Sequence, residues 1–304
     1  MNTRDIEAFI AVVDAGSIMG AAARLHLTQP AVTRRIQGFE EALGAQLLDR
    51  QSKPLRPTAA GRDAYELGRR VLGSVHDLRS GLAADGDVIG ELRLGVTPSN
   101  ADDALSEPFD RLRKSYPQLG LRVTSGWAQE LLAQVESNRI DAAFVYLPGN
   151  DSVAPSLDAE EIARFATFIV APKGLGLRKR PALADLADRP WVLNQDGCGF
   201  RRVIRQELAR AGLPFVVAVE TYSAELRLAL VARGLGIGIA TEATMQRSKY
   251  RNSVDVLDVR DFKADVRAWL VHRPLTGRLA APLASFSESL KAALPKSERG
   301  ARAA

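Results

Sequence analysis

One cysteine, three histidines, three tryptophans and three methionines in 304 residues leave few ligands for several kinds of chemistry. Cys198 alone allows no intrachain disulfide and suits a reducing compartment. His26, His76 and His272 fall in separate predicted elements, so no metal-ligand set forms, and neither a metal nor any other cofactor is expected. Long apolar runs are missing too. The richest stretch, LRLALVARGLGIGIA, is interrupted by Arg227 and Arg233, whereas a membrane-spanning helix needs about 20 consecutive apolar residues. The opening MNTRDIEAF carries acids where a signal peptide would be cationic and then apolar. The sequence therefore reads as a soluble, cytoplasmic protein with no membrane partner. Gly234, Gly236 and Gly238 follow a predicted helix rather than a strand, so they read as a helix end and close packing, not as a phosphate cradle.

What is present is a globular composition, 46% hydrophobic and 25% charged, long enough for two or more cores. A formal charge of +5 permits a polyanionic partner without demanding one. The most informative stretch is SIMGAAARLHLTQPAVTRRIQGFEEALG, residues 17–44. Ile6, Phe9, Ile10 and Val13 lead into it at the spacing of an amphipathic helix. Ala21, Ala22, Ala23 and Leu25 make a compact second helix, and His26-Leu27 turns the chain. Thr28 is a good N-cap for a third helix with Pro30 in its first turn. On that helix Val32, Ile36 and Phe39 point one way, while Pro30, Thr33, Arg34 and Gln37 point roughly the other. A helix that packs on one face and shows Thr, Arg and Gln on the other suits a DNA major groove. The plainer reading is a three-helix corner whose Arg34 and Arg35 are only solvated.

The next segment, AQLLDRQSKPLRPTAAG, weighs against the plainer reading. Leu47, Leu48 and Leu55 would anchor a small hairpin with Arg50, Lys53 and Arg56 near its tip, placed for phosphates or the adjacent minor groove. Seven Lys/Arg stand against three acids between Arg24 and Arg62. The run SIMGAAARLHLTQPAVTRRIQGFEEALGAQLLDR followed by LRPTAAG resembles the amino-terminal winged helix-turn-helix of the LysR-type transcriptional regulators. The match is close over about the first sixty residues, and the length and layout of the rest fit the same family. The resemblance implies that Gln29, Pro30, Thr33 and Arg34 reach bases or the adjacent backbone and that the basic residues of the wing hold phosphates. With the helix opening and the outward face added, the DNA-binding set is Thr28, Gln29, Pro30, Thr33, Arg34, Gln37, Arg50, Lys53 and Arg56. Met19, Leu48 and Pro57 depart from the usual pattern but remove no donor that the groove needs.

From Thr58 the pattern becomes one long helix. Ala60, Ala64, Leu67, Val71, Val75, Leu78 and Leu82 recur at helical steps, a narrow apolar stripe that suits packing on a copy of the chain. Gly68, Gly73 and Gly81 each weaken such a helix by about 1 kcal/mol relative to Ala. The resemblance implies a linker helix through which subunits pair, and a tetramer completed by the C-terminal domains; the residues alone support only the dimer. Dimerisation would place two readers on paired half-sites of a double-stranded promoter.

The remainder carries an internal repeat with a shift of 97 residues. Strand 91–96, helix 101–115, strand 119–124, helix 128–138 and strand 140–147 recur as 191–194, 200–211, 215–221, 224–233 and 236–240. Alternating strands and helices predict parallel sheets with both faces covered, joined by crossovers near Glu161–Phe165 and Asp261–Arg267. The fold class is thus α/β overall. Residues 1–58 form a winged helix-turn-helix and 59–87 a linker and hinge. Residues 88–294 form an effector domain that the resemblance likens to periplasmic binding proteins, lobe one being 90–162 plus 266–294 and lobe two 163–265. Residues 295–304 read as a disordered tail.

Ligands of open sheets bind beyond the carboxyl ends of parallel strands, where helix N-termini aim N–H groups inward. That rule places Thr97, Ser99, Asn100, Trp127 and Tyr146 at the cleft from lobe one, and Asn194, Gln195, Cys198, Gly199, Phe200 and Thr221 from lobe two. Each of these polar residues alone would read as a cap or turn residue; together they describe a site for a small molecule. Two helix N-termini, with Arg201 and Arg202 nearby, favour an anion such as a carboxylate. The expected function is a transcriptional regulator controlled by that effector. The alternative is an α/β enzyme fused to a helix-turn-helix module, against which the cleft offers no nucleophile–base pair.

Overall fold

The computed structural model describes residues 1–81, 88, 90–98, 102–149, 151–176, 180–263, 265–274, 277 and 279–294. Leu82, most of the expected hinge, Ser99, Asn100 and the 295–304 tail lie outside them.

The N-terminal unit begins with α1 (Thr3–Ala15), α2 (Ile18–Leu25) and α3 (Gln29–Leu43), followed by β1 (Leu48–Asp49), β2 (Arg56–Pro57) and α4 (Ala59–Gly81). The helices start and stop where local chemistry dictates. Asn2 and Asp5 form a reciprocal capping box on α1, and Gly16 ends it in the left-handed conformation. Ser17 accepts the Gly20 N–H at 3.1 Å to open α2, and Thr28 accepts that of Ala31 at 3.4 Å to open α3. Ile6, Phe9, Val12, Ala21, Val32, Ile36 and Phe39 fill the core, with the Phe9 and Phe39 rings 5.5 Å apart. Val12, rather than Val13, is the fully buried member of its turn.

β1 and β2 pair antiparallel as the wing. One carboxylate ties it to α3: Glu40 accepts the N–H groups of Leu47 (2.8 Å) and Leu48 (3.3 Å) and pairs with Arg50 at 2.9 Å. Thr58 closes the other side, donating to the Gln46 carbonyl and capping α4 through the Gly61 N–H.

Helix α4 has two apolar rows rather than one. Ala64, Tyr65 and Leu72 pack on the module core, and a Cβ at Gly68 would stand 2.8 Å from Ile6. Ala64 therefore belongs to the inner face, and Gly68 is a point of close approach rather than a mere weakness. Tyr65 fixes the start of α4 by donating to Asp14 on α1 at 2.5 Å while accepting from Arg69 at 2.8 Å. Leu67, Val71 and Leu78 form the second row and are exposed.

The C-terminal unit runs β3 (Gly90–Val96), α5 (Asp102–Ser115), β4 (Leu119–Ser125), α6 (Ala128–Glu136), β5 (Ala142–Pro148) and β6 (Asp158–Pro172). After a 3-10 turn at Leu183–Leu186 come β7 (Trp191–Leu193), α7 (Gly199–Arg210), β8 (Val217–Glu220), α8 (Ala224–Ala232) and β9 (Ile237–Thr241). It closes with α9 (Glu242–Arg247), β10 (Val254–Leu257), β11 (Asp265–His272) and α10 (Ala280–Ala293). The strands lie in the order β4-β3-β5-β11-β6-β9-β7-β8, with β10 also on β6.

The two repeats are parallel within themselves, as β4-β3-β5 and β8-β7-β9. The expectation of purely parallel sheets fails between them. The crossover segments are themselves strands: β11 runs antiparallel to β5 and to the first part of β6, and the second part of β6 runs antiparallel to β9 and β10. A buried crossing must satisfy its backbone N–H and C=O groups, and joining the sheet does so. Residues 158–166 of β6 pair with β11 and residues 167–172 with β9 and β10, so this one strand passes from the first repeat to the second. Helix α10, whose Leu283, Phe286 and Leu290 form a buried stripe at helical spacing, packs against α5 through the Phe109–Phe286 ring pair at 5.1 Å.

Candidate DNA interface and effector cavity

On α3, Val32, Ile36 and Phe39 are buried, so the opposite face is turned outward. Thr28, Gln29, Pro30, Arg34 and Gln37 are exposed, and Thr33 is half-buried. The Thr33 hydroxyl donates to the Gln29 carbonyl at 3.0 Å, so it is engaged with its own helix. Arg34 and Lys53 are exposed and make no ion pair among the described residues. Arg56 is exposed at the base of the wing, whereas Arg50 is offset by Glu40. Arg34 on the helix and Lys53 and Arg56 on the wing, without ion pairs among the described residues, thus stand among amides and hydroxyls able to read base edges.

In the C-terminal unit a cavity open to solvent lies at the strand ends of both repeats. Thr97, Pro98, Trp127, Tyr146, Pro148 and Phe165 line one side, and Asn194, Cys198, Gly199, Phe200, Tyr222 and Arg227 another. Of the cleft residues named from sequence, Thr97, Trp127, Tyr146, Asn194, Cys198, Gly199 and Phe200 line it; Gln195 and Thr221 do not. Thr221 is used locally, its hydroxyl accepting the Ser223 N–H at 3.3 Å just before α8.

Thr97 extends the β3–β5 ladder, its N–H donating to Phe144 at 3.1 Å. Its buried hydroxyl has no partner among the described residues. Trp127 stacks on Tyr222 with centroids 5.3 Å apart and planes 20° from parallel, closing the cavity across the two repeats. Gly197 adopts φ +98°, and a Cβ there would meet the Trp127 ring at 2.5 Å. Gly197→Ala is therefore expected to destabilise by about 1–3 kcal/mol through backbone strain and displacement of the ring. Calorimetry that shows an unchanged unfolding midpoint would contradict this close approach.

The N-cap of α7 is Cys198, which makes no side-chain cap bond, so the first-turn amides beside Gly199 and Phe200 lack the usual side-chain acceptor. Arg201 and Arg202, considered from sequence as charge partners for the effector, are held by the protein instead. Arg201 pairs with Glu220 at 2.6 Å, and Arg202 pairs with Asp151.

The residue that sequence reading missed is Arg227. Its Nη1 donates to Asn194 Oδ1, to the Thr221 carbonyl at 3.2 Å and to the Tyr222 carbonyl at 3.1 Å. Because a guanidinium only donates, Asn194 must turn its oxygen toward Arg227, leaving its amide nitrogen to donate to Cys198 Sγ at 3.0 Å. No carboxylate pairs with Arg227 among the described residues, and its Nε is covered and unpartnered. Burial pushes its pKa down to about 10, so it remains charged at neutral pH. A signal did exist: Arg227 falls with Ala224 and Val231 at the i, i+3, i+7 spacing of the buried face of α8.

An exposed reading helix with a basic wing, joined in one chain to a two-lobed α/β unit with a cavity at its strand ends, defines an effector-controlled DNA-binding regulator. Comparison with known proteins gives the family. Residues 3–62 match the bacterial regulatory helix-turn-helix of the lysR family, and residues 85–295 match the LysR substrate binding domain. The chain belongs to the LysR family of bacterial transcriptional regulators. It is 28% identical to the HTH-type transcriptional regulator YofA of Bacillus velezensis, covering 90% of this chain and 92% of that one. It is 29% identical to the uncharacterized HTH-type transcriptional regulator YnfL of Escherichia coli, covering 88% and 91%. Among solved structures, a full-length OxyR variant from Pseudomonas aeruginosa superposes with TM-score 0.73 at 17% identity, covering 96% and 95%. Full-length CbnR in complex with its target DNA gives 0.60 at 24%, covering 97% and 100%. The chain is a transcriptional regulator and not an enzyme, so the fused-enzyme alternative is set aside. Among the described residues, no helix is long and apolar enough to cross a membrane.

Proposed function

We propose that this regulator reads paired half-sites in the major groove through Gln29, Pro30, Arg34 and Gln37. Thr28 and Thr33 shape the start of the reading helix, and Lys53 and Arg56 hold phosphates. Residues 1–58 act as the DNA module, 59–87 as linker and pairing helix, and 88–294 as the effector domain, working in the cytoplasm on the chromosome. Subunits pair along Leu67, Val71 and Leu78, and effector domains supply the second contact of a tetramer. A small molecule binds in the cavity beside Thr97, Trp127 and Phe200. Only a ligand that prefers one arrangement of the lobes shifts their equilibrium, and that shift alters the spacing of the paired readers.

The observation that carries the DNA reading is the unpaired, exposed Arg34 on the face of α3 opposite its buried residues. CbnR, of like fold, was solved on its target DNA. Arg34→Ala is expected to weaken binding to the cognate site more than to random DNA, by about 1–3 kcal/mol of discrimination. Lys53→Ala should weaken both alike and reduce the salt slope by about one. Gel-shift titrations at two salt concentrations separate these outcomes, and equal losses for Arg34→Ala on both DNAs would remove it as a reader.

A further inference from the structure

We infer that Arg227 is the anchor for a singly charged carboxylate borne on a flat apolar body. This rests on the cavity being the effector site and adds the class of molecule it takes. Three observations converge on it. First, Arg227 lines the cavity with its charge offset by no carboxylate among the described residues. Second, all of its hydrogen bonds leave from Nη1, toward Asn194, Thr221 and Tyr222. Those acceptors fix the guanidinium plane. Nε and Nη2, the edge of the fork that matches the two oxygens of a carboxylate, donate to no protein group among the described residues. A carboxylate entering beside Nη2 supplies an acceptor to the edge of the guanidinium that no protein group serves among the described residues.

Third, the surroundings set the rest of the ligand. Trp127 and Tyr222 lie stacked at the cavity wall, and Phe200 and Pro148 add apolar surface, which suits a planar ring. Among the described residues the only other cation on the lining is Arg247, which is exposed and engaged in an interaction of its own. One enclosed charge calls for one carboxylate, and a dianion would keep its second charge without a comparable partner.

The test is calorimetric titration of the full-length protein with benzoate, 2-furoate and butyrate, each beside its primary amide. Wild type is expected to bind at least one aromatic acid about tenfold or more tightly than its amide, a difference of about 1.4 kcal/mol. Arg227→Gln should bring acid and amide to within about twofold. Arg227→Lys, which keeps a charge on the same helix face, should retain a preference for the acid. It also serves if the Gln variant does not fold. A preference for the acid that persists in Arg227→Gln, equal binding of acid and amide by wild type, or no binding of any member overturns the assignment. Trp127→Ala tells the two possible failures apart. If amides bind wild type and Trp127→Ala abolishes that binding, the cavity is the effector site and only the charge assignment falls. If binding survives both Trp127→Ala and Arg227→Gln, the site is elsewhere and both fall.

Discussion

Val71→Asp is expected to leave a folded monomer that has lost site-specific DNA binding. Leu67, Val71 and Leu78 are 57%, 44% and 61% exposed on one side of α4, while Ala64, Gly68 and Leu72 on the other side serve the core of their own module. A row of large apolar side chains left open on a helix of 23 residues has no partner within its own module, and a second copy of the same helix supplies one. A carboxylate at the centre of that seam would be buried unpaired in the dimer but hydrated in the monomer. One reading helix contacts too few bases, so losing the second half-site should remove most of the specific advantage, typically about 10³-fold or more. Light scattering reads the assembly and a gel shift on the cognate site reads the binding. Leu72→Asp is the contrasting variant: pointing into the module, it should unfold that domain rather than split the dimer. An oligomer unchanged by Val71→Asp would remove α4 as the seam.

Gly61→Ala is expected to produce a large loss of stability from a single methyl group. A Cβ at this position would stand 2.0 Å from the Leu47 carbonyl oxygen and 3.1 Å from Pro57 Cβ, where the wing meets α4. The near atom is backbone, held in place by the Glu40 contacts to Leu47 and Leu48, so it has little freedom to retreat. Overpacking of this kind costs about 1–3 kcal/mol, and each kcal/mol shifts the midpoint of a domain this small by about 4–8 °C. Displacing the wing should also weaken binding to DNA of any sequence, because Lys53 and Arg56 move with it. A midpoint within about 1 °C of wild type would show that the junction relaxes freely.

The N-terminal module was legible because its signals are local. Asn2, Ser17 and Thr28 announce helix starts, His26 and Gly44 announce ends, and the period of Val32, Ile36 and Phe39 separates a packed face from a reading face. The second domain was legible as a repeat, since two copies of one strand–helix pattern share a shift. Its antiparallel centre was not. β6 has no strict alternation because its neighbours change along its length, so period 2 is lost while the backbone pairing remains. On α4, two apolar rows one residue apart merge into one stripe when read from sequence, and only the packing of Ala64 and Gly68 separates them. In the cavity, topology alone sufficed for Thr97, Trp127 and Phe200, which sit at element ends. Arg227 lies well inside a helix, where sequence showed only a break in an apolar run. Gln195 and Thr221 were equally well placed by the rule, but neither lines the cavity, and the Thr221 hydroxyl is consumed by its own turn.

Strand β6 carries one further consequence. Ala166 is still hydrogen-bonded in register with Asp265, and Thr167, the next residue, is in register with Thr241. At this crossing the switch between the two repeats is therefore a single peptide step inside a laddered ribbon, not a slack tether. Such a joint has elasticity: twisting one lobe against the other loads both ladders at once, and the load pulls the lobes back. An effector that turned one lobe against the other would do mechanical work against that restoring torque, and the stiffness of this step would set how much of its binding free energy reached the DNA as motion. The residues at 166 and 167 would then tune the sensitivity of the regulator without touching either ligand.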